Sequence, residues 1–136
     1  MSLLKIFDIS NSAMNVQSQK MQIHASNIAN IDSLVNKNGK LYPYIAKKIV
    51  LKYGNINDSE FENVKVEKII EDKTPLKKIY NPNSPIADPQ GFSEISNVNL
   101  VTETIDFISA SRNYQTNLEL LNTAKAMIIK TLTIGQ

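Results

Sequence analysis

Between Ser96 and Gln136 the chain has no proline, and its only glycine is Gly135, next to the end. Such a run can hold one unbroken helix, because nothing in it interrupts the i to i−4 hydrogen-bond ladder. Leu100, Thr104, Phe107, Ser111 and Tyr114 step alternately by four and three, and Leu118, Leu121, Lys125, Ile128 and Leu132 continue the step. That spacing keeps them on one helical stripe. Val101, Ile105, Ile108, Ala124 and Met127 widen it. A helix from Leu100 to Leu132 would be roughly 50 Å long. A helix of that length with a heptad stripe requires a partner along it.

The first thirty residues supply one. Leu4, Phe7, Asn11, Met14, Ser18, Met21, Ala25 and Ile28 repeat the same step. Ser2 is the expected N-cap, its hydroxyl taking a free backbone N–H. Turn formers from Asn30 to Ser33 should end the helix. This first stripe is poor: Asn11 and Ser18 are polar and Ala25 is small. Two such helices alone bury little, so the seam calls for further helices from other copies; an intramolecular pair and nothing more is the simpler reading.

Between the helices, Asp32 to Lys40 reads as a loop by composition. Ile45, Ile49, Leu51 and Tyr53 predict one face of a strand, interrupted by Lys47, and a turn runs from Tyr53 to Ser59. Glu62 to Glu71 alternates, with Val64, Val66 and Ile70 against Lys65, Glu67 and Glu71, and Leu76 to Tyr80 is a third short strand. Two or three antiparallel strands are marginal alone and need cover. Pro82, Pro85 and Pro89 forbid a regular ladder there, and Asp88-Pro89-Gln90-Gly91 fits a β-turn with Phe92 anchoring the chain after it. Asn97 or Asn99 caps the final helix, with Glu103 favouring its dipole. The expected class is α+β: an N-terminal helix in 1–31, a small β-module with a proline-rich connector in 32–95, and a C-terminal helix in 96–136, the helices forming one discontinuous domain.

No catalytic set emerges. With no cysteine and one histidine, His24, disulfides, thiolate sites and transition-metal sites are not expected. His24 reads as a solvated or hydrogen-bonded helix-flank residue. Glu60, Glu62, Glu71, Asp72 and Glu94 are scattered, and four glycines without a cluster exclude the phosphate-binding and dinucleotide fingerprints. The sequence therefore predicts neither enzyme nor cofactor. A net charge of +2 demands neither nucleic acid nor an anionic membrane, and Lys47-Lys48 and Lys77-Lys78 read as strand-edge protection. The Asn57-Asp58-Ser59 sequon is discounted as a chance match. No run is long enough to span a membrane, and the opening MSLLKIFDIS is not expected to be a cleavable signal.

Asn27 and Asn30 lie three apart at the end of the first helix, placed to satisfy free carbonyls or to reach a neighbouring chain. Ordinary termination, with Asn30 left-handed, is the simpler account. The segment Ala25-Ser26-Asn27-Ile28-Ala29-Asn30 resembles a signature of the bacterial flagellar rod and hook axial proteins. The run Ser109 to Asn117, followed by Leu121-Asn122-Thr123-Ala124-Lys125, resembles their second signature. Leu4 to Ile9, Tyr80 to Phe92 and Lys130 to Gln136 are most similar to the C-type proximal-rod members. The resemblance covers nearly the whole chain.

It implies a structural subunit of the basal-body rod, part of the drive shaft through the cell envelope. It implies export through the flagellar type III apparatus without cleavage, and assembly with copies of itself and other rod proteins. The terminal helices would pack in the tube's inner layer, ordering on assembly, with the β-module outward. The expected assembly residues are Leu4, Phe7, Met14, Met21, Asn27, Ile28 and Asn30 on the first helix. On the last they are Phe107, Tyr114, Leu118, Leu121, Ile128 and Leu132. The alternative is a soluble coiled-coil interaction module with no flagellar role.

Overall fold

A computed structural model describes residues 3–55 and 62–136, with the side chains of residues 3, 4, 55 and 62 left out. Ser2, Glu60, the Asn57-Asp58-Ser59 sequon, the far part of the expected Tyr53–Ser59 turn and the side chains of Leu4 and Glu62 lie outside the described residues. Helix α1 spans Leu3–Ala29 and helix α2 spans Leu100–Ile134. Asn99 is the N-cap of α2, its side-chain oxygen accepting from the amides of Val101 and Thr102, with Glu103 in the first turn. Asn97 has another task, described below.

Among the described residues six strands lie between the helices: β1 (Leu34–Lys37), β2 (Lys40–Pro43), β3 (Lys47–Asn55), β4 (Glu62–Glu71), β5 (Lys77–Tyr80) and β6 (Phe92–Ile95). They pair antiparallel as three separate two-stranded ribbons, β1–β2, β3–β4 and β5–β6. The fold is α+β as expected, but the module holds more strands than the two or three predicted. Asp32 to Lys40 is not a plain loop. Asn38 and Gly39 both have positive φ, 54° and 80°, the geometry of a two-residue hairpin turn. They join Leu34-Val35 to Leu41-Tyr42, so the Asn-Gly pair, read as loop composition, is a hairpin signal. Phe92 anchors the connector as expected and also begins β6, pairing with Tyr80.

The Asp88–Gly91 turn closes through a Gly91 amide to Asp88 carbonyl bond of 2.8 Å. Gly91 is required here: its φ is +83°, and a Cβ would sit 2.7 Å from the Tyr80 ring. That ring packs edge-on against Phe92 at 5.4 Å. In β3–β4 the register shifts between Val50 and Leu51, an irregularity that alternation alone does not show.

Helix α2 packs only against α1 among the described elements, whereas α1 also carries the β3–β4 ribbon. The half-buried and buried positions of α2 are Glu103, Phe107, Ala110, Ser111, Tyr114, Asn117, Leu121, Ala124 and Ile128. The expected stripe is therefore half right. Phe107, Tyr114, Leu121 and Ile128 face α1, but Leu100, Thr104, Leu118, Lys125 and Leu132 are exposed. Glu103, Asn117 and Ala124 take the places of Thr104, Leu118 and Lys125 one residue earlier, and Ala110 is buried beside half-buried Ser111. The same offset holds on α1, where Asn11 and Ala25 are exposed while Ser10 is buried and Gln17 and His24 are half-buried. A heptad step leaves i+3 and i+4 on either flank of the stripe. The helices meet on the flank carrying Ala110 and Ala124, both buried, because small side chains let two backbones approach closely. The larger apolar residues on the other flank are left outside.

Few apolar side chains are buried: Val16, Tyr44, Ala46, Val98, Ala110 and Ala124. Tyr44, Ala46 and Val98, with Ile31 against them, form a small cluster where helices and ribbons meet.

Candidate functional site

Two features stand out once the elements are placed: a polar junction where α1, α2 and β3 converge, and an apolar surface along α2 that none of the described residues covers.

The junction is built on Asn27, whose side chain is 0% exposed. Its carboxamide oxygen accepts from the Tyr44 hydroxyl at 3.0 Å and the Lys47 amide at 2.9 Å. Its nitrogen donates to the Lys47 carbonyl at 2.9 Å and to Glu103 Oε2 at 3.1 Å. Two donors and two acceptors are thus all used, which removes the cost of burying an amide. His24 Nδ1 lies 2.6 Å from the same Glu103 oxygen. A carboxylate oxygen only accepts, so Nδ1 carries the hydrogen. From the α2 side Asn97 takes the neighbouring residue: its oxygen accepts from the Ala46 amide at 2.8 Å, and its nitrogen donates to the Thr74 carbonyl at 3.0 Å. The Asp72 amide donates to the Ala46 carbonyl at 2.7 Å. Every backbone polar group of Ala46 and Lys47 is bonded in this way.

Asn30 is not left-handed, the one non-glycine with positive φ among the described residues being Asn38. Its carboxamide donates to the Ser26 carbonyl at 2.8 Å, which satisfies a carbonyl at the helix end. The two asparagines therefore part company, one internal to the fold and one closing the helix.

Asp72 closes the base of β3–β4. Its carboxylate meets Lys48 Nζ at 2.8 Å and accepts from the Thr74 amide and hydroxyl. The Lys48 contact foremost, then Thr74, holds this carboxyl below its ordinary value of 3.8 against an opposing desolvation effect. A depressed folded-state value means the contribution is present above the unfolded pKa and lost as pH falls through the folded one. Amide protection in β3–β4, taken relative to the intrinsic exchange rate at each pH, should accordingly fall on acidification below the ordinary carboxylate range, and Asp72→Asn should remove that acid dependence.

Along α2 the uncovered apolar side chains are Leu100, Val101, Ile105 and Ile108 near its start. Further on they are Leu118, Leu120, Met127, Ile129, Leu132 and Ile134, the last two 67% and 85% exposed. The His24–Glu103 contact, with Gln17 and Ala110 on one cleft, runs the two helices antiparallel.

The expected site residues separate accordingly. Phe7, Met14, Met21 and Ile28, and Phe107, Tyr114, Leu121 and Ile128, are half-buried within the chain, and Asn27 is fully enclosed. Leu118 and Leu132 are open. Leu120, Ile129 and Ile134 were missed; the signal was a C-terminal segment apolar on more than one face. Among the described residues no group of three or more His, Cys, Asp or Glu side chains could hold a metal ion. No described helix is long and apolar enough to cross a membrane.

The model of the family "Flagellar basal body rod FlgEFG protein C-terminal" matches residues 90–134, which takes in the whole of α2. Over all 136 residues, and the full length of each relative, the chain is 56% identical to the flagellar basal-body rod protein FlgC of Buchnera aphidicola subsp. Baizongia pistaciae. It is 45% identical to FlgC of Escherichia coli O157:H7 and 44% identical to FlgC of Salmonella typhimurium, again over the full length of both.

Proposed function

The chain belongs to the FlgC family of flagellar basal-body rod proteins, and from that premise we propose how it takes its place in the rod. It is a structural subunit of the basal body, in a shaft that carries torque through the cell envelope. The observation that carries this reading is the uncovered apolar row of α2. Monomers rarely leave so many large apolar side chains open along one element, and such a row marks a surface buried in an assembly. The partners are other copies and other rod proteins. Contacts between unlike faces, repeated around a screw axis, do not close on themselves and so give a tube. The two helices form the inner wall as one discontinuous domain, 1–31 with 96–136, and residues 32–95 face outward.

The subunit reaches the rod through the flagellar type III export apparatus, the route by which a rod subunit of this family would cross the inner membrane. It performs no catalytic step. Ile105→Asp tests the α2 surface. The side chain is 60% exposed in the single chain, so helicity and melting of the isolated variant should be nearly unchanged. Its amount in purified basal bodies should fall by more than about tenfold, because a charge would enter an apolar contact. Full swimming in a strain carrying only this variant would exclude the row from assembly.

A further inference from the structure

The helix seam does not specify its own register. On α2 the large residues Phe107, Tyr114, Leu121 and Ile128 recur every seven positions, with Ala110, Asn117 and Ala124 between them. On α1, Phe7, Met14, Met21 and Ile28 also recur every seven, with Ser10, Gln17 and His24 between. Sliding one helix by a heptad again sets large against large and small or polar against small or polar. An apolar seam so repeated is degenerate, and a buried polar group that is satisfied in only one alignment is the established means of resolving it.

Asn27 meets that requirement. Its four hydrogen bonds reach α2 through Glu103 and β3 through both backbone groups of Lys47, and Glu103 is tied in turn to His24. A slide of α1 by seven residues moves Asn27 by roughly 10 Å and breaks the whole set. We propose that Asn27, with Glu103 and His24, is a register lock for the helix pair, and that it makes docking of the β3–β4 ribbon conditional on the correct register. Asn97 fastens Ala46 independently, from the segment leading into α2, so the root of β3 is held from both helices. The lock is a property of one chain; its failure in a test would leave the rod role untouched.

The absence of cysteine lets engineered pairs report the register in the full-length chain. Gln17 and Ala110 line the same interhelical cleft and are opposite in the observed register, whereas Gln17 and Asn117 are one heptad apart. The Gln17→Cys/Ala110→Cys chain should form an intramolecular disulfide, and the Gln17→Cys/Asn117→Cys chain should not, since the latter Cα atoms lie beyond bridging range. Adding Asn27→Leu should bring the second disulfide to within about threefold of the first. The same substitution should speed exchange of the β3 amides by more than about tenfold. Asn97→Ala should speed exchange at Ala46 while leaving the disulfide pattern unchanged.

Asn27→Asp should behave like Asn27→Leu, because its second oxygen faces the Glu103 carboxylate and the Lys47 carbonyl without a donor. Glu103→Gln added to it should return the native disulfide, since the glutamine amide then donates to the aspartate. That pair also serves if Asn27→Leu proves unfolded. An exclusive Gln17–Ala110 link in the Asn27→Leu chain, or identical patterns with and without Glu103→Gln, would overturn the lock.

Discussion

Deleting residues 126–136 is expected to abolish incorporation into the rod while the remaining chain keeps its three ribbons and its paired helices. The expectation rests on how open the end of α2 is: of the deleted residues only Ile128 is half-buried, and Met127, Ile129, Leu132 and Ile134 stand in the open. Loss of these four costs the single chain little, within about 0.5 kcal/mol for each exposed position. In an assembly the same side chains, once covered, contribute about 1.5–3 kcal/mol apiece. Losing four of them removes more than enough to shift a subunit from bound to free. Far-ultraviolet circular dichroism and hydrogen exchange of the isolated truncated chain, set beside its amount in purified basal bodies, check both halves. A truncated chain that still builds rods would show that this end of α2 takes no part.

The second large effect separates two leucines three residues apart. Leu121 is half-buried against α1, and Leu118 is exposed on the opposite flank. Leu121→Asp should destabilise the single chain by about 2–5 kcal/mol, through lost packing and a carboxylate forced into an apolar seam. Leu118→Asp should change its stability by less than about 0.5 kcal/mol. Both variants should fail to incorporate, the first because the helix pair is lost and the second because the outer contact is. Chemical denaturation of the isolated chains distinguishes them, and equal midpoints would refute the seam assignment. The sequence stripe placed both residues on one face, so it could not predict this split.

What the sequence made legible was helix existence and extent, and the reason is physical. Long runs free of proline and glycine, with a four-three step, leave few alternatives to a helix. Which flank of the stripe turns inward was not legible, because Leu118 and Leu132 outweigh Ala110 and Ala124 on any hydrophobicity count, while close approach favours the alanines. Asn38-Gly39 was available as a hairpin signal and was outweighed by the polar composition around it. The role of Asn27 was out of reach from local pattern: its partners Tyr44, Lys47 and Glu103 are 17, 20 and 76 residues away. The resemblance to axial proteins rests in part on this segment, in which Asn27 makes its bonds inside one subunit.

The outer part of the chain is three ribbons of two strands each, never merged into one sheet. A continuous sheet carries load across its ladder, whereas separate ribbons share no hydrogen bonds through which a load on one would pass to the next. On the outward face proposed above, each ribbon would therefore meet its neighbour on its own, with the helix pair left as it is.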